Sequence, residues 1–221
     1  MFDGFDLVAP VYDALATLVF GRRLQRAQVV WLHQIPADAS ILIVGGGTGW
    51  LLQQVLMHCQ PRQVLYLETS RQMVNRAVRR IIKSRQIGSV EFRIGDEQTL
   101  QSDERYDVVM TPFLLDLFTE ETLRSRMIPQ LRNVLKPDGQ WHVTDFVQPN
   151  SRWQKGLLWL MIRFFRLTAR IETKQLADWQ AIMNESGLAV QQRSRQVDGM
   201  ATAEIWNLRT RNAFTAGQLI D

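Results

Sequence analysis

The sequence predicts an α/β fold, a doubly wound sheet that is mostly parallel and ends in an antiparallel hairpin. Three observations predict it. Short apolar runs alternate with segments of helical period, the pattern of βαβ units. After residue 187 the alternation stops, and two strand-like runs flank Asp198–Gly199, a dipeptide favoured in tight hairpins. The first apolar run, moreover, breaks into Gly45, Gly46, Gly47 and Gly49 within "ILIVGGGTG". Glycine loses more backbone entropy on folding than any other residue, so such a cluster needs a reason: tight turning, or close approach of something to the backbone.

In chain order, strands are expected at 40–44, 63–68, 90–94, 106–111 and 141–146, then at 188–197 and 200–210. Seven strands result. The segment 50–59 places Leu51, Leu52, Val55, Leu56 and Cys59 on one helical face. The segment "SRQMVNRAVRRIIKSR" carries Met73, Val74, Ala77, Val78, Ile81 and Ile82 as one apolar stripe. Ser70 is its expected N-cap, and the arginines along 71–85 read as its solvated face. A third helix, 119–135, opens on Thr119 with Glu120 and Glu121 at the positive end of its dipole, and Pro129 should kink or interrupt it. A fourth is expected over 173–186, stopped by Gly187. Residues 211–221 are weakly patterned and read as a tail.

Composition narrows the class. A chain of 221 residues, 46% hydrophobic and 22% charged, fits one globular domain, placed at 1–210. The single cysteine, Cys59, excludes an internal disulfide and suits a reducing cytoplasm. His33, His58 and His142 lack metal-ligand spacing, so no metal is expected. "MFDGFDLVAP" has neither the basic nor the apolar region of a signal peptide, and the longest apolar stretch, "GLLWLMIRFF", is too short to span a bilayer. A cytoplasmic location is therefore expected. The formal charge of +4 leans toward acidic partners, though a solvated basic face accounts for it.

A glycine-rich turn that leaves the first parallel strand and opens a helix is a nucleotide-type site, because its backbone N–H groups are free to meet a ligand. The dinucleotide fingerprint needs G-x-G-x-x-G, and here Trp50 stands at the third glycine's place. The phosphate-loop pattern needs Lys followed by Ser or Thr, which is missing.

"ILIVGGGTG" instead resembles the first motif of class I S-adenosylmethionine (SAM)-dependent methyltransferases, a Rossmann-like fold with helices on both faces of the sheet. Three further stretches agree: "VLYLETS" with Glu68 closing the second strand, "FRIGDE" with Asp96 after the third, and "LRNVLKPDGQWHVTDF" with the L-K-P-x-G turn before the fifth. The resemblance implies that Gly45, Gly46, Gly47, Thr48 and Gly49 pass under the cofactor. It implies that Glu68 binds the ribose hydroxyls and Asp96 the adenine amino group, with Thr69, Glu97 and Thr111 alongside. S-adenosylhomocysteine (SAH) would be the product. "FDLVAPVYD" resembles the entry segment of the quinone-biosynthesis and related small-molecule methyltransferases, which makes residues 1–35 a helical lid and Tyr12 its cofactor contact. The chain departs from the pattern at Ile43, where the family often has an acid. Aminopropyltransferases share the "GGG" with an apolar residue there, but carry an Asp where this chain has Thr48.

The acceptor is read from what lies after the later strands. Enzymes that methylate amines of nucleic-acid bases place Asn/Asp-Pro-Pro-aromatic after the fourth strand; here Thr111-Pro112-Phe113-Leu114 offers no side-chain carbonyl. No specific nucleic acid is expected. Residues 151–170 form an insertion rich in Trp, Phe and Arg, suited to roof a lipophilic pocket, meet a membrane surface or form a homodimer contact. A small lipophilic or aromatic acceptor follows. Asp116 and Asp145, at the carboxyl ends of the fourth and fifth strands, are the candidates for acid–base work. Alternatives from other classes are a SAM-binding protein without transfer activity, an aminopropyltransferase-like enzyme and an RNA-directed one.

Overall fold

All five residues of β1, Ser40–Val44, are buried, as expected for a strand covered by helices on both faces. The computed structural model describes residues 21–84, 89–148, 151, 156 and 176–209. Around β1 stand β2 (Gln63–Glu68), β3 (Val90–Ile94), β4 (Tyr106–Pro112), β5 (Leu135–Phe146), β6 (Leu188–Gln196) and β7 (Ala201–Leu208), in the order β3-β2-β1-β4-β5-β7-β6. The first five run parallel, while β7 lies antiparallel to both β5 and β6. The expected mixed sheet with a C-terminal hairpin is therefore what forms.

Side chains alternate across the sheet and build two cores. Ile41, Ile43, Val64, Tyr66, Val108 and Met110 face α2 (Trp50–His58) and α3 (Arg71–Ser84). Leu42, Val44, Leu65, Leu67, Val109 and Trp141 face α4 (Ile128–Val134) and α5 (Trp179–Glu185). A shorter helix, α1 (Arg23–Val29), packs near β7, and Trp31 after it donates to the Ala203 carbonyl at 2.8 Å. Each buried Leu, Ile or Val contributes about 1.5–3 kcal/mol, so β1 is clamped from both sides. The loop that leaves it starts from a fixed point.

Four sequence expectations are corrected in detail. The fifth strand begins at Leu135, not 141, and carries the K-P-x-G turn within it: two residues from Tyr106 to Val108 face five from Leu135 to Gln140, so the excess bulges out. Gly139 is required there, since a Cβ would lie 3.1 Å from the Asp107 carbonyl oxygen and 3.0 Å from that of Lys136. Pro129 does not kink its helix. A π turn over Leu123–Met127 precedes it, and the wider turn accommodates a ring that would otherwise press on the preceding carbonyls. The last helix starts at Trp179, because the Asp178 side chain accepts from Ala181 N at 3.0 Å and caps it. Ile82, expected on the apolar stripe of α3, is 71% exposed, because the stripe actually buried is Met73, Val74, Ala77 and Ile81.

Cys59 is buried, its Sγ donating to the Leu32 carbonyl, and burial pushes its thiol up to about 11. It stays protonated and takes no part in nucleophilic chemistry. His142 is likewise buried in β5 beside Gln140, and burial pushes it down to about 3, so the ring is neutral. No helix among the described residues is long and apolar enough to cross a membrane.

Candidate functional site

The carboxyl ends of β1, β2, β3, β4 and β5 lie at one edge of the sheet, where open α/β folds bind ligands. The glycine loop leaves β1 there. Gly45, Gly47 and Gly49 have φ of +68°, +61° and +79°, a region that side chains other than glycine enter at a cost of about 1–2 kcal/mol. Packing explains two of the glycines. A Cβ on Gly46 would lie 2.4 Å from the Tyr66 ring, and one on Gly49 would lie 2.6 Å from the Ala77 Cβ. Gly47 is different, for a Cβ there would meet nothing within 4 Å. Open space beside a backbone already held in place is what a ligand needs.

The loop is held from below. Tyr66 donates its hydroxyl to the Gly47 carbonyl at 2.6 Å, and Arg80 Nε donates to the Thr48 carbonyl at 3.0 Å. Glu68, closing β2, accepts from Gly47 N at 3.0 Å through Oε2 and from Ser70 N at 3.0 Å through Oε1. Thr69 adds a longer bond of 3.4 Å. Burial raises the Glu68 carboxyl above the usual carboxylate range, against the pull of these N–H groups. Its oxygens have four lone-pair sites between them, so capacity remains for two hydroxyl donors. Ser70 also caps α3, as expected, by accepting from Met73 N.

The other anticipated contacts are placed as follows. Asp96 follows β3 and caps a short 3₁₀ turn, Glu97–Thr99, accepting from Gln98 N at 3.1 Å. Glu97 is 1% exposed and ion-paired with Arg126 at 2.7 Å, off the line of a hydrogen bond. Thr111 is fully buried and accepts from Trp141 Nε1 at 3.0 Å. Thr69 is exposed and Thr48 half-buried at the loop. Tyr12 and the insertion 152–170, apart from Gly156, lie outside the described residues, as do 1–20 of the anticipated lid. Ile43 is wholly buried opposite Tyr66 in the β1–β2 register. With an aliphatic side chain there, it is the Tyr66 hydroxyl that engages the loop.

Asp116 and Asp145 are brought together. Phe113, at the end of β4, adopts φ +51°, and its N–H donates to the Thr144 carbonyl at 2.7 Å. A left-handed aromatic residue is uncommon and marks a forced bend. The bend turns the chain so that Leu114 N and Leu115 N donate to Asp145 Oδ2 at 3.1 and 2.7 Å, while Phe146 N donates to Oδ1 at 2.8 Å. Asp116, one residue on, hydrogen-bonds Asp145 side chain to side chain, and its own Oδ1 is buried without a partner. Burial and the neighbouring carboxyl push both groups up, Asp116 to about 6 and Asp145 well above the ordinary range. Two carboxyls this close titrate as one pair holding a shared proton. Among the described residues, no cluster of His, Cys, Asp or Glu is suited to a metal.

A glycine loop with room at Gly47, a ribose-type carboxylate at the end of β2 and a sheet whose last strand inserts antiparallel beside β5 define a class I methyltransferase domain. Residues 41–139 match the family model described as "Methyltransferase domain", and the chain is a SAM-dependent methyltransferase of class I. Among solved structures, it is similar to a SAM-dependent methyltransferase from Aquifex aeolicus, with 16% identity, 95% of this chain and 100% of that chain covered, and a TM-score of 0.61. It is also similar to the 1,6-didemethyltoxoflavin-N1-methyltransferase of Burkholderia thailandensis, with 14% identity, 94% and 87% covered, and a TM-score of 0.66. A third is the YcgJ protein of Bacillus subtilis, with 18% identity, 77% and 72% covered, and a TM-score of 0.62. A comparison with curated protein sequences returns no match.

The residues fit SAM, since the cradle at Gly47 is open and Glu68 keeps spare acceptor capacity. Gly47→Ala is the direct check. It should cost only about 1–2 kcal/mol of stability for the unfavourable φ, yet weaken SAH binding about tenfold or more in calorimetry. Unchanged binding would show that the open space serves something else.

Proposed function

We propose that the chain transfers the methyl group of SAM to a hydroxyl of a small, lipophilic or aromatic acceptor, with Asp116 taking the acceptor's proton. The observation that carries this reading is the carboxyl pair at the ends of β4 and β5. Both Asp145 oxygens are committed to backbone N–H groups, whereas Asp116 Oδ1 is buried and free. A buried acceptor atom without a donor costs about 1–3 kcal/mol, and an acceptor O–H would supply the donor. With its value near 6, Asp116 is ionised at neutral pH while remaining basic enough to draw a proton. SAM supplies a methyl group on a sulfonium, and the chain's task is then to orient the acceptor and remove its proton.

Apolar surroundings support the acceptor class. Phe113 and Phe146 stand with ring centroids 5.3 Å apart, backed by Leu24, Leu176, Val197 and Met200 at the same edge. The Burkholderia neighbour, whose structure holds 1,6-didemethyltoxoflavin and SAH, offers a heteroaromatic precedent on this fold.

Asp116→Asn tests the role. Across a panel of hydroxyaromatic acceptors, turnover should fall about a hundredfold or more while SAH affinity stays. The wild-type rate should rise with pH through about 6, and the variant should lose that limb. Stability gives an independent sign. A carboxyl raised in the folded state favours folding most below its unfolded value and loses that contribution as pH rises through its folded value. Asp116→Asn should therefore raise the melting temperature at pH 8 and leave it unchanged near pH 4. A variant with full turnover would refute the proton-acceptor role, and SAH binding without turnover on any acceptor would refute transfer itself.

A further inference from the structure

A cavity of about 380 Å³ opens on the α5 side of the sheet, bounded by the residues after β5, the start of α5 and the β6–β7 turn. Its position relative to the carboxyl pair follows from strand register. Asp145 on β5 faces Thr202 on β7, and Thr202 faces Arg195 on β6. Residues directly opposite in antiparallel strands project from the same face, so Asp145, Thr202 and Arg195 form one row across the sheet. Adjacent strands are about 4.8 Å apart, which sets Arg195 about 10 Å outward from Asp145.

The polar groups that line this cavity are mostly donors. Thr202 is 4% exposed and its Oγ1 has no partner. Arg195 makes no ion pair or hydrogen bond among the described residues. Arg193 is anchored through Nε by the fully buried Glu204, at 2.7 Å, which leaves its terminal nitrogens uncommitted to that carboxylate. The acids at the rim are engaged elsewhere: Asp178 caps α5, and Asp198 is ion-paired with Arg23. Two guanidinium groups and an orphaned hydroxyl, with the nearby carboxylates spoken for, favour an oxyanion.

We infer that this cavity holds an oxyanion of the acceptor, a carboxylate or a phosphoryl group, placed about 10 Å from the hydroxyl that is methylated. The inference rests on the methyl-transfer reading above and narrows it, making the acceptor an aromatic acid or aryl phosphate with its hydroxyl at the far end. Thr202 and Arg195 meet the anion, Arg193 adds charge, and the Phe113–Phe146 end of the sheet takes the aromatic body.

The test is calorimetric titration of the SAH-saturated protein with 6-hydroxy-2-naphthoate, 6-hydroxy-2-naphthyl phosphate and the neutral 6-hydroxy-2-naphthamide. At least one anion should bind about tenfold tighter than the amide, as a charge-assisted contact requires, and the tighter of the two identifies the group. Arg195→Gln, at an exposed position, should erase the preference, and Thr202→Val should reduce it about threefold, both with SAH affinity unchanged. Amide binding as tight as both anions, a preference that survives Arg195→Gln, or no binding of any probe would overturn the inference. Anion binding that depends on Arg195 without turnover would leave this site standing and sink the transfer reading instead.

Discussion

Glu68→Gln is expected to weaken SAH binding about a hundredfold while leaving the chain folded. Two ribose hydroxyls donating to a carboxylate contribute about 1.5–3 kcal/mol each, and every 1.4 kcal/mol is tenfold in affinity. Glutamine keeps the shape and one carbonyl oxygen, enough to hold Ser70 N, but its amide nitrogen is a donor and would face the Gly47 N–H that Oε2 now accepts. The loss therefore comes from the ligand's hydroxyls and from loosening the loop at Gly47. Isothermal titration separates these, because Gly47→Ala disturbs the loop without touching the carboxylate. If Glu68→Gln bound SAH as wild type does, the ribose role of Glu68 would be wrong.

Gly49→Ala carries the second large effect, and on stability rather than affinity. A methyl group would be forced to 2.6 Å from the Ala77 Cβ and 2.8 Å from its Cα, at a residue with φ +79°. The backbone penalty is about 1–2 kcal/mol and the overpacking about 1–3 kcal/mol, a serious fraction of the roughly 5–15 kcal/mol by which domains are stable. Because Cα of Ala77 belongs to the backbone of α3, no rotamer change relieves the clash. Denaturant unfolding should show a large drop in midpoint, and Ala77→Gly in the same chain should recover the steric part alone. A variant as stable as wild type would mean that α2 and α3 are free to move apart.

The strands were legible because β1, β2 and β4 are runs of apolar residues buried on both faces, and the hairpin because Asp198–Gly199 suits positive φ, which both residues adopt. The start of β5 at Leu135 was not, since a Pro-Asp-Gly stretch signals a turn and only its pairing with β4 absorbs it as a bulge. Asp116 and Asp145 could be named from their place after β4 and β5, but not their contact. That contact depends on Phe113 entering the left-handed region, which no residue type there announces. Tyr66 read as one more apolar residue of β2. Register alone, by setting it beside Ile43, gives a clue that it serves the loop. The oxyanion cavity escaped entirely, as Thr202 and Arg195 are ordinary strand residues until β7 slides between β5 and β6.

That insertion of β7 has a consequence for the order in which the protein can be made. Until residues 201–208 have been synthesised, the free edge of β5 stays unpaired and β6 has no partner in the sheet, since β6 pairs only with β7. A nascent chain paused before Ala201 exposes strand edges of the kind that recruit other chains. A cut in the Val197–Gly199 turn would likewise strand an interior element rather than trim a margin. The row that joins Asp145 to Arg195 is completed by the strand translated last, so acceptor recognition matures after every element of the cofactor loop is in place.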